Sequence, residues 1–138
     1  MRYKILEHTA DIMFEVYGKN LNELFENSAI ATTDVMVDRK SLKAGVKKEL
    51  NLENKKIDGL LFGFIEEVIY LKDAEELLFK EFKVSVNVKN GKLKAVCSGE
   101  RINRKDHILK TDVKAITLHK FEVKKAKEGW KAVFILDI

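Results

Sequence analysis

The chain has no proline and only one cysteine, Cys97, among its 138 residues. A single thiol excludes an internal disulfide and a metal centre built from cysteines alone, and it is typical of a reducing cytosol. No apolar run approaches the ~20 residues that cross a bilayer. We therefore expect a cytoplasmic protein with no signal peptide and no membrane contact. The length suits one core but not two, so we expect residues 1–138 to form a single domain.

Arginine is scarce as well. The net charge is +4, but it comes mostly from lysines scattered along the chain, with arginine only at Arg2, Arg39, Arg101 and Arg104. Phosphate recognition usually shows clustered arginine or interleaved aromatic residues, and neither pattern is evident here. The composition permits direct contact with tRNA but does not argue for it.

Motifs of catalysis are also missing. The sequence contains no P-loop, no GxSxG and no cysteine paired with a motif-spaced histidine. These are the arrangements that cradle phosphates or activate a nucleophile. Their absence counts modestly against an enzyme.

What is present favours an α+β fold. Asn20 can cap a first helix, with Glu23 at the capping-box position, and a broad apolar stripe predicts a second helix at about 55–72. Strands are expected at 2–7, 14–17 and about 45–52, and in two C-terminal hairpins. The expected architecture is a mostly antiparallel, sandwich-like β-sheet assembly with two main helices packed on it.

Asn90-Gly91 marks the clearer of the two hairpins, because this dipeptide supplies the positive φ angles of a two-residue type I′ turn. Such a turn pairs Lys89 with Lys92 and Val88 with Leu93. One face of the hairpin is then apolar, and Cys97 lies in the core.

Three aspartates stand where the surrounding residues predict core strands. They are Asp11 in "EHTADIMFEV", Asp112 in "LKTDVKAIT" and Asp137 in "FILDI". Two of them lie near opposite termini, and the first and last strands of a small sheet often lie together. Spacing alone favours solvated strand ends, since isolated acids are usually exposed.

The alternative is that the three carboxylates converge on a cation. Carboxylates brought together repel unless a cation compensates, and oxygen ligands suit Ca²⁺, Mg²⁺ or Mn²⁺. The terminal carboxylate of Ile138 adds a further oxygen. A rival zinc site would use His8, His107 and His119 with an aspartate, but no motif spacing supports it.

Several segments together resemble the archease family: HTADI, NLNELFENSA, DGLLFGFIEEVIYLKDAEELLF, SGE, H-x-x-KTDVKAITLHKFEV and GWKAVFILDI. The resemblance covers essentially the whole chain in order. The first and last segments together are more specific than any single motif. Met13 and Leu118 depart from the family pattern, where a small residue and a tyrosine are expected.

The resemblance implies a non-enzymatic activator of the RtcB-type tRNA-splicing RNA ligase, which joins a 2′,3′-cyclic or 3′-phosphate end to a 5′-hydroxyl using GTP and a divalent metal. It implies that the protein promotes guanylylation of the ligase and multiple turnover. A chaperone-like role toward a tRNA cytosine methyltransferase is an alternative, and a small metal-dependent hydrolase is another.

The family's metal-binding positions correspond to Asp11, Asp137 and Ile138, and Asp112 matches an acidic position in the same region. The expected cofactor is a divalent cation, Ca²⁺ in isolation and Mn²⁺ or Mg²⁺ in function. On this reading, the carboxylate in "EHTADIMFEV" is there to hold a cation.

Overall fold

A computed structural model describes residues 2–8 and 10–138, without the side chains of Glu7 and His8. Within this part the strands and helices follow the order β1 (Tyr3–His8), β2 (Asp11–Gly18), α1 (Leu21–Met36), β3 (Val46–Glu53), α2 (Ile57–Glu75), β4 (Leu77–Asn87), β5 (Lys92–Arg101), β6 (Ala115–Ala126) and β7 (Gly129–Asp137). None of the helices described is long and apolar enough to cross a membrane.

The strands form two antiparallel sheets. One sheet has the order β1-β2-β7-β6 and the other has the order β3-β5-β4. Both helices contact both sheets: α1 packs on β2 and β4, while α2 packs on β6, β4 and β3. The α+β class with two main helices is therefore confirmed, and the helices join the two sheets through a shared core.

Aromatic rings fill much of that core. Phe14 of β2 lies against Phe134 of β7, with 5.7 Å between ring centroids. Phe25 of α1 stacks on Phe64 of α2 at 6.3 Å. Phe14, Phe25, Phe64 and Phe134 are fully buried. Since large apolar side chains contribute most to burial energy, these contacts hold the helices and the first sheet together.

The first helix begins where its cap predicts. Asn20 Oδ1 accepts a hydrogen bond from the backbone N–H of Glu23 at 2.9 Å. In a capping box, Glu23 would accept a hydrogen bond from the backbone N–H of Asn20. Here Glu23 Oε1 accepts instead from the backbone N–H of Lys19, at 3.3 Å. The cap satisfies backbone donors that the first turn leaves free.

The register predicted for the Asn90-Gly91 hairpin is wrong by two residues. Asn87 pairs with Lys92 and Val86 pairs with Leu93, so a four-residue loop replaces the two-residue turn. A type I′ turn needs positive φ at both central residues. Here Gly91 has φ 65, but Asn90 is not among the residues with positive φ. The shift equals one period of side-chain alternation, so Cys97 still faces the core.

The last strand is buried on both faces near its end. Phe134 and Leu136 are fully buried on the core face, and Ile135 is only 7% exposed on the opposite face. The burial of Ile135 agrees with the apolar pattern of FILDI. This strand carries Asp137 out of the core at its last position.

Candidate functional site

Asp11 and Asp137 lie directly opposite each other on neighbouring strands. Asp11 is the first residue of β2, Asp137 is the last residue of β7, and their Cα atoms are register partners. Opposed residues of an antiparallel pair have Cβ atoms about 4.5–5.5 Å apart and side chains on the same face. The fold therefore brings together two acids that are 126 positions apart in the sequence.

Alternation along the strands places both carboxylates on the face opposite the core. Ile12 and Leu136, the adjacent register partners, are buried in the core. Asp11 is exposed and Asp137 is half-buried. Among the residues that the structure describes, neither carboxylate has a cation within 4.0 Å or a hydrogen-bond donor. The pair is thus an uncompensated repulsion, which costs free energy unless a cation joins it.

The end of the chain is anchored beside this pair. The backbone N–H of Lys114 donates to the Asp137 carbonyl at 2.8 Å, and Ala115 is the register partner of Asp137 on β6. The Ile138 side chain packs against the core. These contacts keep the backbone of Ile138 at the same end of the sheet as the carboxylates of Asp11 and Asp137. We call Asp11, Asp137 and Ile138 the acidic tip.

Asp112 has a different environment. Its carboxylate accepts a hydrogen bond from Lys72 Nζ at 2.5 Å, although the Asp112 side chain is 69% exposed. Lys72 Nζ also contacts Asp73 at 2.6 Å and donates to the Val113 carbonyl at 2.8 Å. The structure thus gives Asp112 a cation of its own, and the prediction that Asp112 binds a metal remains untested.

Lys72 is the centre of this arrangement, and sequence reasoning missed it. Burial alone lowers the pKa of a lysine, but the hydrogen bonds that Lys72 Nζ donates to the Asp112 and Asp73 carboxylates outweigh burial and raise the pKa of Lys72 above its ordinary value. Lys72 is buried in the last turn of α2. A lysine immediately after the apolar stripe and next to an acid was the available signal. Its contacts with Asp112 and Val113 fix the segment just before β6.

The rival histidine site gains no support from the described side chains. His107 is buried, its Nδ1 accepts from the backbone N–H of Asn103 at 2.9 Å, and its Nε2 contacts Glu100 at 2.9 Å. That contact, followed by the backbone N–H of Lys43, lowers the pKa of Glu100. His119 is exposed within β6, and the side chain of His8 lies outside the described part. His107 therefore serves the structure with both ring nitrogens.

The donor set of the acidic tip fits a hard divalent cation. Carboxylate oxygens are the ligands that Ca²⁺, Mg²⁺ and Mn²⁺ prefer. Elsewhere in the described chain, and at the tip itself, no group of three or more His, Cys, Asp or Glu residues could hold a metal ion. A site at the tip would thus depend on two aspartates and the terminal carboxylate, together with water.

Comparison with known sequences shows the same similarity along the entire chain. The sequence pattern of the archease protein family matches residues 3–138 of this chain. A protein archease from Methanosarcina barkeri is 36% identical over 140 residues, which is 99% of this chain and 96% of the relative. One from Archaeoglobus fulgidus is 39% identical over 141 residues, covering both chains completely.

Two solved structures have the same fold over nearly the whole chain. The solution structure of a protein from Methanobacterium thermoautotrophicum superposes with a TM-score of 0.87 at 32% identity, covering 99% of this chain and 98% of the other. A crystal structure from Thermotoga maritima, described as an archease and possible chaperone, has a TM-score of 0.67 at 20% identity over 100% of this chain and 98% of the other. The second likeness concerns the fold alone.

Proposed function

Because the chain belongs to the archease family, we propose that it activates an RtcB-type tRNA-splicing RNA ligase through a divalent cation held at the acidic tip, without catalysing a reaction itself. The observation that carries this proposal is the cross-strand pair of Asp11 and Asp137. Two opposed carboxylates with no described cation partner destabilise a sheet unless they have a ligand to bind.

The residues of the tip would act by position and charge. Asp11 and Asp137 would hold the cation on the outer face of the sheet, where another protein can reach it, and Ile138 would close the coordination with its carboxylate. A bound cation would supply positive charge to the phosphates that react during guanylylation. The packed β2–β7 pair behind the two aspartates keeps their spacing fixed, so the tip meets the ligase in one geometry.

Two modes of action remain open to experiment. The tip acts either as a donor that transfers its cation to the ligase or as a brace that binds one ligase conformation better than another. A brace needs only differential affinity for one state. Transfer requires the cation to leave the oxygens of Asp11 and Asp137, so loading the protein with a slowly exchanging metal separates the two modes.

The test is a guanylylation assay of the cognate ligase with GTP and a divalent metal. Catalytic amounts of the protein should increase ligase guanylylation and the number of turnovers. Asp11→Asn and Asp137→Asn should lose this effect, whereas Glu128→Gln, an exposed acid in the β6–β7 turn, should keep it. No gain with the wild-type protein would overturn the proposal, and a fully active Asp11→Asn would exclude the tip.

A second candidate is chaperone-like binding of a tRNA cytosine methyltransferase. It is favoured by large apolar side chains that remain exposed, among them Ile5, Tyr70, Ile108 and Leu118. Where such side chains form a contiguous patch, they mark a surface that binds other proteins. Light scattering of the methyltransferase at elevated temperature tests it: aggregation should fall when the protein is added in equal amount, and unchanged aggregation would exclude this role.

A further inference from the structure

An apolar groove lies at the junction of α2, the end of β3 and the middle of β6. Its volume is about 410 Å³. The apolar side chains that line it are Leu52, Leu60, Phe62, Leu118 and Phe121. Phe62 and Phe121 meet edge to face with 5.4 Å between ring centroids. We call the residues that line this space the α2–β6 groove. Besides the five apolar side chains, they are Glu53, Asn54, Lys56, Asp58, Gly59, Gly63 and Glu66.

One wall of the groove is built by an irregularity in β6. Thr117 pairs with Ile135 and Glu122 pairs with Val133, so residues 118–121 stand opposite Phe134 alone. Lys120 within this bulge has φ 56, a left-handed conformation that is unfavourable for a residue with a Cβ atom. Bulges are over-represented at sheet edges, where β6 lies, and next to functional sites, where they re-aim a side chain; such backbone strain also clusters at ligand sites.

The side chain that this bulge presents is Leu118. It is 73% exposed, more than any other large apolar side chain that the structure describes. An isolated exposed leucine needs no explanation, but Leu118 lies at the edge of a groove whose other walls are also apolar. It is therefore placed as an anchor for something that fills the groove.

The floor of the groove is open because α2 has glycine there. A Cβ atom on Gly63 would have no heavy atom within 4 Å, whereas a Cβ atom on Gly59 would collide with the side chain of Asn54 at 2.4 Å. Glycine in a helix interior costs roughly 0.5–1 kcal/mol relative to alanine. At Gly63 no packing within the described part of the chain requires that cost.

Acids surround the groove. Glu53, Asp58 and Glu66 line it and are exposed, and none has a cation within 4.0 Å in the part of the chain that the structure describes. Lys56 is the only basic residue in the described lining. The groove thus combines an apolar interior with a net negative rim, although the whole chain has a net charge of +4.

We infer that the α2–β6 groove is a docking site for a basic segment of a partner protein that carries apolar side chains. Its apolar side chains would fill the space over Gly63 and against Leu118, and its lysines or arginines would meet Glu53, Asp58 and Glu66. The charge of the rim decides against an acidic segment and against nucleic acid, because phosphates would face uncompensated carboxylates. Only the identification of the partner with the RNA ligase rests on the proposed function.

Binding of a synthetic peptide tests the groove without the ligase. The probe is a helical peptide with leucine on one face and lysine on the other, and its counterpart has glutamate in place of lysine. The lysine peptide should shift the NMR resonances of residues 58–66 and 117–122 and should bind about tenfold more tightly than the glutamate peptide. Shifts confined to another surface, or equal affinity of the two peptides, would overturn the inference.

Two variants sharpen this test. Gly63→Leu fills the open floor and should weaken the lysine peptide about tenfold, whereas Gly45→Leu, at a glycine with equally free surroundings, should not. Glu66→Lys should weaken binding, and Glu128→Lys should have little effect. Unchanged circular dichroism and Tm would show that Gly63→Leu remains folded; unaltered affinity in that variant would contradict the docking site.

The same variants separate the groove from the acidic tip when the cognate ligase is used. Gly63→Leu should weaken ligase binding, whereas Asp11→Asn should still bind the ligase but should fail to activate it. If the wild-type protein does not bind the ligase, the proposed function is wrong and the peptide result alone decides the groove. Concentration-dependent dimers that disappear in Gly63→Leu would instead assign the groove to a second copy of this chain and overturn the inference.

Discussion

Removing one carboxylate from the acidic tip should stabilise the protein when no metal is present. In Asp137→Asn the side chain keeps its size while the repulsion with Asp11 across β2 and β7 disappears. Two unit charges about 5 Å apart in a water-like dielectric repel by roughly 0.8 kcal/mol, which agrees with the usual range of about 0.2–1 kcal/mol for opposed charges in a sheet. The expected gain in the free energy of unfolding is therefore about 0.2–1 kcal/mol.

Calcium should reverse the order of stability. A ligand that binds only the folded protein adds about 2.7 kcal/mol at a hundred times its dissociation constant. Wild-type protein should thus gain stability on addition of Ca²⁺, and Asp137→Asn should gain much less. The same change at Asp11 should have the same effect, because either aspartate contributes to both the repulsion and the binding.

Urea denaturation in EDTA and in Ca²⁺ measures these differences, with Glu128→Gln as the control for loss of one surface carboxylate. The m-value should stay constant, since the exposed surface on unfolding does not change. An Asp137→Asn protein that is less stable than wild type in EDTA, or that is stabilised by Ca²⁺ as strongly as wild type, would refute this reasoning.

Two further predictions concern buried polar chemistry. Lys72→Met should lower the free energy of unfolding by about 1–3 kcal/mol, because the buried Val113 carbonyl loses its donor. Asp112→Asn should lower it by only about 0–1 kcal/mol, since the Asp112 carboxylate is mostly exposed and Asp73 still pairs with Lys72. Urea denaturation compares the two variants, and equal losses would contradict the central role of Lys72. Burial raises the pKa of the Cys97 thiol to about 12, so labelling of the native protein by a thiol reagent should not accelerate between about pH 7 and pH 10, where a free thiol becomes ionised; fast labelling at high pH without urea would show that the thiol is accessible.

The pairing of Asp11 with Asp137 could be anticipated from the sequence because each aspartate lies at the end of an apolar strand, and the two strands are near opposite ends of the sequence. Asp11 and Asp137 follow or precede apolar runs near opposite termini, and pairing of the first long strand with the last one brings them into register. Local pattern was sufficient to place the acids at strand ends and to raise their convergence as one of two alternatives, and the family resemblance favoured convergence.

Contacts set by tertiary packing were not predictable. The hairpin at Asn90-Gly91 has a strong local signal, but Gly91 is held by Asn54, whose backbone N–H donates to the Gly91 carbonyl at 2.8 Å. Tertiary contacts of this kind override turn preference. The ion pair of Lys72 with Asp112 joins positions 40 residues apart, and no periodicity reports such a separation.

The bulge in β6 escaped prediction for a related reason. The apolar positions of ITLHKFEV change phase between Leu118 and Phe121, which is compatible with a bulge, but nothing in the letters signals that Lys120 takes a left-handed conformation without glycine. The bulge is accommodated because Phe121 packs on Phe62 of α2, which is a contact between distant segments. Only the structure shows that Leu118 is thereby directed to a groove.

Calorimetric titration of metal into two tagged proteins tests the cation site most directly. A tag after Ile138 converts the terminal carboxylate into a neutral amide carbonyl, a weaker donor for a hard cation, whereas a tag before Met1 leaves the carboxylate free. We expect clearly weaker Ca²⁺ or Mn²⁺ binding for the C-terminal tag and binding close to that of the untagged protein for the N-terminal tag. Equal affinity of the two tagged proteins would contradict a site that uses the Ile138 carboxylate, and absence of binding in all three proteins would contradict the acidic tip as a cation site.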